Sequence, residues 1–333
     1  MRALLSVQPG GPESLVLTEV ELPVTVPAGH VRVAIKACAV NYPDVLIIAD
    51  RYQRRPPRPF APGIDIAGVI EAVGPGVTSL TPGERVMAQL EYGGMAEKVD
   101  VVPCRCARLP EALSFEDAAA LLTTYGTARF ALEDRASIHA GEKLLVLGAA
   151  GGVGLAAVEL GAAFGATVVA AASSAEKVSV ALRKGAVAGV VYPAGAMDKS
   201  ASKVFAEQIR AAFGGAGPDV ILDVVGGDYA EAAFRAIAQH GRFLVVGFAA
   251  GIPRMPLNLA LLNSASLIGV AWSADLAARP DWLQRQLGAL VRLYQAGRIR
   301  PEISARFSLR DGAQAIALLA ERQAIGKVLV LPG

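Results

Sequence analysis

The chain is poor in residues that build disulfides and bind metals. Its 333 residues hold only three cysteines (Cys38, Cys104, Cys106) and three histidines (His30, His139, His240). A small, odd cysteine count in a long chain argues against a disulfide framework and for a reducing, cytoplasmic setting. A structural zinc lobe needs four closely spaced cysteines, which Cys104 and Cys106 cannot supply. The histidines lie far apart in sequence, as surface or turn residues do. An excess of charge of one sign is also missing: the net charge of +2 points to no nucleic acid and no strongly acidic or basic partner. Aromatic residues make up only 6% although hydrophobic residues reach 53%. Small and aliphatic side chains fill the difference, the composition of buried parallel strands and closely packed helices. The opening MRALLSVQPGGPE meets Pro9 and Gly10 before an apolar h-region can form, so no signal peptide is expected.

Unbroken apolar length is scarce too. Residues 144–177, LLVLGAAGGVGLAAVELGAAFGATVVAAASSAEK, have the hydropathy of a membrane span. A spanning helix needs roughly 20 uninterrupted apolar residues. Here Gly148, Gly151, Gly152 and Gly154 follow a short Leu/Val run, and TVVAAA then ends in Ser173-Ser174. Gly148/Gly152 and Gly161/Gly165 have a small-xxx-small spacing, but no aromatic belts flank them and no second span exists. The stretch reads as strand, glycine turn, helix, strand, and no membrane partner is expected.

Residues 1–120 show short apolar runs broken by Pro, Gly and charge, such as HVRVAIKACAV and DIAGVIEAVG, the mark of an antiparallel, barrel-like β domain. Ser114, with Asp117 three on, predicts a capped helix start. From 143 to about 271, strands (KLLVLG, TVVAAA, GVVYP, DVILDVV, RFLVVGF, SLIGVAW) alternate with helices. Such alternation implies right-handed βαβ crossovers and a doubly wound parallel sheet, an α/β fold. Two amphipathic helices and KVLVL follow, the last reading like a strand of the first domain. The expected division is 1–124 with 266–333, and 125–265.

The glycine cluster has a strand before it and a helix after it, the context a dinucleotide fingerprint requires. Gly151, Gly152, Val153 and Gly154 let the backbone turn tightly and approach a pyrophosphate, and the helix N-terminus offers free N–H groups and a partial positive charge. Ala149 stands where the common pattern has its first glycine. Roughly 20 residues on, an NAD-preferring site carries an acid for the ribose 2′-hydroxyl. This chain has Ser173, Ser174 and Lys177 there, and Lys177 can neutralise a 2′-phosphate. Tyr192, after the next strand, adds a hydroxyl. NADPH is therefore the expected cofactor.

NYPDVL at 41–46, PGIDIAGVIEAVGPGV at 62–77, GGMAE at 93–97, AAALLTTYGTA at 118–128, GAAGGVG at 148–154, DVVGGD at 223–228, VVGFAAG at 245–251 and GKVLV at 326–330 together resemble the medium-chain dehydrogenase/reductase superfamily. Within it they are similar to the zinc-independent quinone oxidoreductases. The resemblance implies a GroES-like catalytic domain, a Rossmann domain, NADPH in the cleft between them and a homodimer joined through the Rossmann sheets. Zinc-dependent relatives carry Cys where Asn41 stands and Gly-His-Glu where this chain has Gly63-Ile64-Asp65, so no metal is expected.

Further roles come from the resemblance alone. It places Asn41 beside the nicotinamide, with hydrogen bonds to substrate or ribose, and has Asp44 orient that loop. Thr127 contacts the cofactor, Phe248, Val270 and Trp272 hold its carboxamide, and Lys327 lies at the lip of the cleft over the phosphates. Asn41 and Asp44 are equally good helix caps, Thr127 and Trp272 equally good packing residues, and Lys327 an equally good solvated charge. Tyr52 matches a tyrosine that quinone reductases have near the substrate and that enoyl-thioester reductases use as proton donor. Leu46 replaces a tyrosine common in quinone reductases. Arg51, Arg54, Arg55 and Arg58 form either a coenzyme A phosphate grip or a solvated loop.

Three functions follow. The first is NADPH-dependent reduction of quinones or other α,β-unsaturated carbonyls by metal-free hydride transfer. The alternatives are an enoyl-thioester (enoyl-CoA) reductase and a non-catalytic NADPH-binding protein.

Overall fold

The computed structural model describes the chain from Met1 to Gly333 except Ala194, Ala196 and residues 275–279. It divides into two compact units. The first comprises residues 1–123, 276–295 and 300–333, and the second 124–275 and 296–299.

The first unit is built on β1 (Arg2–Ser6), β2 (Leu15–Glu19), β3 (Val31–Val40), β4 (Asp65–Val73), β5 (Arg85–Gln89), β6 (Lys98–Val101), β7 (Cys106–Arg108), β14 (Ile303–Ser308) and β15 (Lys327–Leu331). Its main sheet runs β14-β15-β3-β4-β5-β7, with β6 also paired to β3. All pairs are antiparallel except β14 with β15. Val328, Leu329 and Val330 pair with Val40, Ala39 and Cys38, so KVLVL completes this sheet as expected. Alternate residues of β3 and β4, among them Val33, Ile35, Ile66 and Ile70, fill one apolar core together with Met95, Leu309 and Ile316. Burial of this kind drives folding at about 25 cal/mol per Å² of apolar surface.

The second unit holds β8 (Lys143–Leu147), β9 (Thr167–Ala172), β10 (Ala188–Val191), β11 (Val220–Asp223), β12 (Arg242–Val245) and β13 (Ser266–Gly269). They form one parallel sheet in the order β10-β9-β8-β11-β12-β13. This is the doubly wound dinucleotide-binding order, with its switch point between β8 and β11. The helices Gly152–Ala163, Ala175–Arg183, Lys199–Ala212 and Gly227–Phe234 form the crossovers. β13 is the sixth strand of this sheet, so the second unit extends past the expected boundary at 266.

Two elements end earlier than their apolar runs suggest. DVILDVV keeps only Val220–Asp223 as strand because the Asp223 carboxylate accepts the N–H groups of Val225 and Gly226, at 2.7 and 3.0 Å, and turns the chain. The glycine-rich helix stops at Ala163. Among the described residues, no helix is long and apolar enough to cross a membrane.

Candidate active site

In the second unit, the residues expected at a dinucleotide gather at the C-terminal ends of the parallel strands. Gly151 is the N-cap of the helix that follows β8. A side chain on Gly154 would lie 2.1 Å from the carbonyl oxygen of Gly148, so only glycine lets this helix pack onto its turn. A side chain on Gly151 would meet nothing closer than 3.5 Å, which leaves the turn open outwards. Gly151, Gly152 and Val153 are half-buried. The first N–H groups of a helix have no intrahelical acceptor, and here they come with a cradle free of side chains. The residues present fit a pyrophosphate.

β9 ends at Ala172, leaving Ser173 exposed. Ser174 is the N-cap of the next helix, its Oγ accepting the Lys177 N–H at 3.2 Å. Part of the Ser-Ser-x-x-Lys signal is thus helix initiation. The cap fixes Lys177 in the first turn of that helix. Tyr192 joins them, its N–H donating to the Ala172 carbonyl at 3.0 Å. Its ring is buried in an aromatic cluster, 4.8 Å from Tyr229 and 6.0 Å from Phe205 between centroids. Tyr192 is therefore a core residue with one end at this strand terminus.

Phe248 is 48% exposed beyond β12, and the Val270 N–H donates to the Val245 carbonyl at 3.0 Å. Trp272 is buried against Gly126, where a side chain would come within 2.7 Å of the indole. Gly126 and the buried Thr127 lie on the helix Phe115–Arg129. The Trp272 indole N–H has no acceptor among the described residues.

In the first unit, a chain of buried polar groups connects four distant sequence positions. Asn41 caps the helix Tyr42–Ile48, and its N–H donates to the Asp44 carboxylate at 2.8 Å, the acid half of a capping box. The other oxygen of Asp44 accepts the Gly63 N–H at 2.8 Å, tying the NYPDVL loop to the PGIDIAG segment. The Asn41 amide has its own partners. Its Nδ2 donates to Asp65 Oδ2 at 2.9 Å and to the Ala39 carbonyl at 3.1 Å, and its Oδ1 accepts from Lys327 Nζ at 2.7 Å. Lys327 also donates to the Val40 carbonyl at 3.0 Å. Asp65 in turn accepts the Thr123 hydroxyl at 2.7 Å and its N–H at 3.2 Å.

This arrangement corrects one expectation and narrows another. Lys327 is 3% exposed and its ammonium donates to Asn41 and Val40, so it is not a solvated charge. Both amide hydrogens of Asn41 are committed to protein acceptors, so a hydrogen bond to a substrate or ribose would have to be accepted by its Oδ1. Asp65 and Thr123 are the residues the sequence reading passed over. The available signal was an acid opening the otherwise apolar run of β4.

Burial dominates the electrostatics. It pushes Asp44 up to about 6 against two N–H donors. It raises Asp65 against the pull of Lys327, Thr123 and Asn41. It lowers Lys327, whose charge Asp65 and Asp44 support, and drives the Cys38 thiol well above its usual range. Tyr52 is half-buried against the core of this unit, and burial raises its pKa while Arg54 opposes the shift. Arg54 pairs with Glu91 at 2.5 Å and Arg58 with Asp50 at 2.9 Å. Arg58 also donates to Ser6 Oγ and to the Ile48 carbonyl, so it braces the loop.

Residues 27–111 match the family model of the alcohol dehydrogenase GroES-like domain, and residues 152–287 that of the zinc-binding dehydrogenases. A quinone oxidoreductase-like protein 2 from Bos taurus is 36% identical over 318 residues, covering 95% of this chain and 88% of the relative. The quinone oxidoreductase of Rattus norvegicus is 32% identical over 334 residues, covering 99% and 98%. The crystal structure of Escherichia coli quinone oxidoreductase complexed with NADPH superposes with a TM-score of 0.89 at 26% identity, covering all of both chains. At the positions where metal-dependent relatives carry Cys and His, this chain has an amide tied to an ammonium and the apolar Ile64. The chain belongs to the quinone oxidoreductase family, in the zinc-independent branch of the medium-chain dehydrogenases and reductases.

Proposed function

We propose that this protein reduces quinones or other α,β-unsaturated carbonyls with NADPH, by direct hydride transfer and without a metal. The observation that carries the reading is the open glycine turn at the switch point of the second unit's sheet, with Ser173 and Lys177 where an NAD site would present an acid. The NADPH bound to the Escherichia coli relative supports the same choice. NADPH, when bound, supplies the hydride. The protein's part is placement and electrostatics. Gly152 and Val153 offer backbone N–H groups to the pyrophosphate, Gly151 closes the turn with its own N–H on the Gly148 carbonyl, and Lys177 meets the 2′-phosphate. The loops bearing Phe248 and Val270 supply backbone to the carboxamide. In the first unit Asp44 fixes the NYPDVL loop, and the buried Lys327 ammonium provides positive charge for the oxygen that becomes negative as the acceptor is reduced.

The test is NADPH oxidation with 9,10-phenanthrenequinone, 1,4-benzoquinone and simple enones. Absence of turnover across the panel, with NADPH binding intact, removes the reading and leaves a non-catalytic NADPH-binding protein. An enoyl-thioester reductase would want the 51–58 arginines for a coenzyme A phosphate, and Arg54 and Arg58 are already paired with Glu91 and Asp50. Turnover of crotonyl-CoA that collapses in Tyr52→Phe would restore that alternative.

A homodimer is part of the proposal. β13 is the last strand of its sheet, and Leu257, Leu261 and Leu262 beside it are 68%, 80% and 69% exposed. An edge strand flanked by exposed leucines suits pairing with a second copy. Sedimentation equilibrium of the wild type and of a Leu261→Glu variant tests it.

A further inference from the structure

Nothing in the family resemblance gives Asp65 a task, yet it occupies the centre of the buried chain. Asp65 is fully buried and accepts from three donors: Asn41 Nδ2, the Thr123 hydroxyl and the Thr123 N–H. An ionised carboxylate can only accept hydrogen bonds and an ammonium can only donate them. Asn41 lies between the two, so its amide has one permitted orientation: nitrogen towards Asp65 at 2.9 Å and the Ala39 carbonyl at 3.1 Å, oxygen towards Lys327, with the carboxylate the nearer of the two acceptors. That orientation follows from the partners and does not depend on telling oxygen from nitrogen by position.

The consequence falls on Lys327. Two of its three ammonium hydrogens are taken, by Asn41 Oδ1 and the Val40 carbonyl. The third meets no acceptor among the described residues. Were the Asn41 amide to turn over, its NH2 group would face the ammonium and the cation would lose its shortest bond. The charged and titratable groups around Lys327 come from three elements: Asp44 on the helix Tyr42–Ile48, Asp65 on β4 and Cys38 on β3. Only Asp65 and Lys327 meet through Asn41. Asp44 uses its oxygens on the Asn41 and Gly63 N–H groups and leaves the amide free to be sorted from the other side.

We propose that Asp65 is a positioning residue of the reaction: together with the Ala39 carbonyl it fixes the Asn41 amide, and through that amide it aims the Lys327 ammonium and its remaining hydrogen. The inference rests on the reductase reading for its use, because a fixed positive charge serves an oxygen that turns negative during hydride transfer. It does not rest on that reading for its geometry. Thr123, with two hydrogen bonds to Asp65, holds the carboxylate in register and belongs to the same device.

The test couples structure and rate. With 15N-labelled lysine, the Lys327 ammonium resonance is identified by its absence in Lys327→Met. Asp65→Asn is expected to shift or broaden that resonance, and Thr123→Val to shift it less in the same direction. Should Asp65→Asn fail to fold, Thr123→Val, which keeps the carboxylate, decides the point. In turnover with 9,10-phenanthrenequinone, Asp65→Asn is expected to lower kcat by about tenfold with the KM for NADPH unchanged, the pattern of an interaction made in the transition state. In the Lys327→Met background the same change is expected to cost nothing further, since neighbours acting through one group are not additive. An unmoved ammonium resonance, or an equal kcat loss with and without Lys327, would overturn the proposal. If no acceptor is turned over at all, the resonance still decides the positioning role, and only the proposed function falls.

Discussion

Lys327 Nζ and Asn41 Oδ1 lie 2.7 Å apart, joining β15 to a helix cap 286 residues earlier in the chain. The bond leaves one buried cation beside the carboxylates of Asp44 and Asp65. Replacing Lys327 by Met is therefore expected to destabilise the first unit by about 3 kcal/mol, the cost of leaving a buried charge uncompensated. The loss should be larger at pH 8 than at pH 5, where the carboxylates can take up protons instead. Urea unfolding at the two pH values measures it.

Asp44 and Asp223 are both pushed up to about 6 by burial. A folded pKa above the unfolded value of about 4 means that the native state binds protons more tightly, so the stability these two groups contribute is greatest below pH 4 and is lost as pH rises through 6. Each group contributes on the order of 2–3 kcal/mol to that loss. Oδ1 of Asp223 accepts both the Val225 and the Gly226 N–H, so Asp223→Asn keeps an acceptor for the turn and removes the ionisation. The variant should be at least as stable as wild type at pH 8, with a shallower pH slope between 4 and 6.

Lys177→Ala tests the coenzyme choice. One charge-assisted contact to a phosphate is lost, so NADPH affinity should fall by about tenfold or more, while NADH affinity changes little. Calorimetric titration with each coenzyme reads the difference. Equal losses would place the 2′-phosphate away from the β9 terminus.

Gly126→Ala brings a methyl group within 2.7 Å of the Trp272 ring. Overpacking of this kind costs about 1–3 kcal/mol. The indole must shift, so near-ultraviolet circular dichroism should change together with the unfolding midpoint. An unchanged aromatic spectrum would mean that the helix moves instead.

Much of the second unit was legible in the sequence because its signals are local. Six apolar runs, each separated by a helix or turn, give a parallel sheet, and Gly148 to Gly154 mark the turn. Even Ser174 and Lys177, read as ligand residues, declared the cap that places them. The Asn41 network was not legible in the same way. It joins positions 41, 65, 123 and 327, and each alone reads as a cap, a strand end, a helix residue and a solvated lysine. Only the pairing of β15 with β3 brings a lysine beneath Asn41, and no periodicity announces that a charge is buried. SLIGVAW reads as one more strand of the alternation, yet the expected boundary at 266 cuts it from the sheet whose edge it forms.

The pairing of β15 with β3 also bears on how the protein is made. The second unit's sheet needs nothing beyond Gly269 and can close as soon as that stretch leaves the ribosome. The first unit begins to emerge earlier, yet its sheet waits for residues 303–331 to fill the place beside β3. During synthesis the early strands must therefore be held unfinished, with Val40 and the Asn41 amide lacking their lysine, while a later-made unit matures first. That interval is when the nascent chain is most exposed to mispairing and most dependent on chaperones.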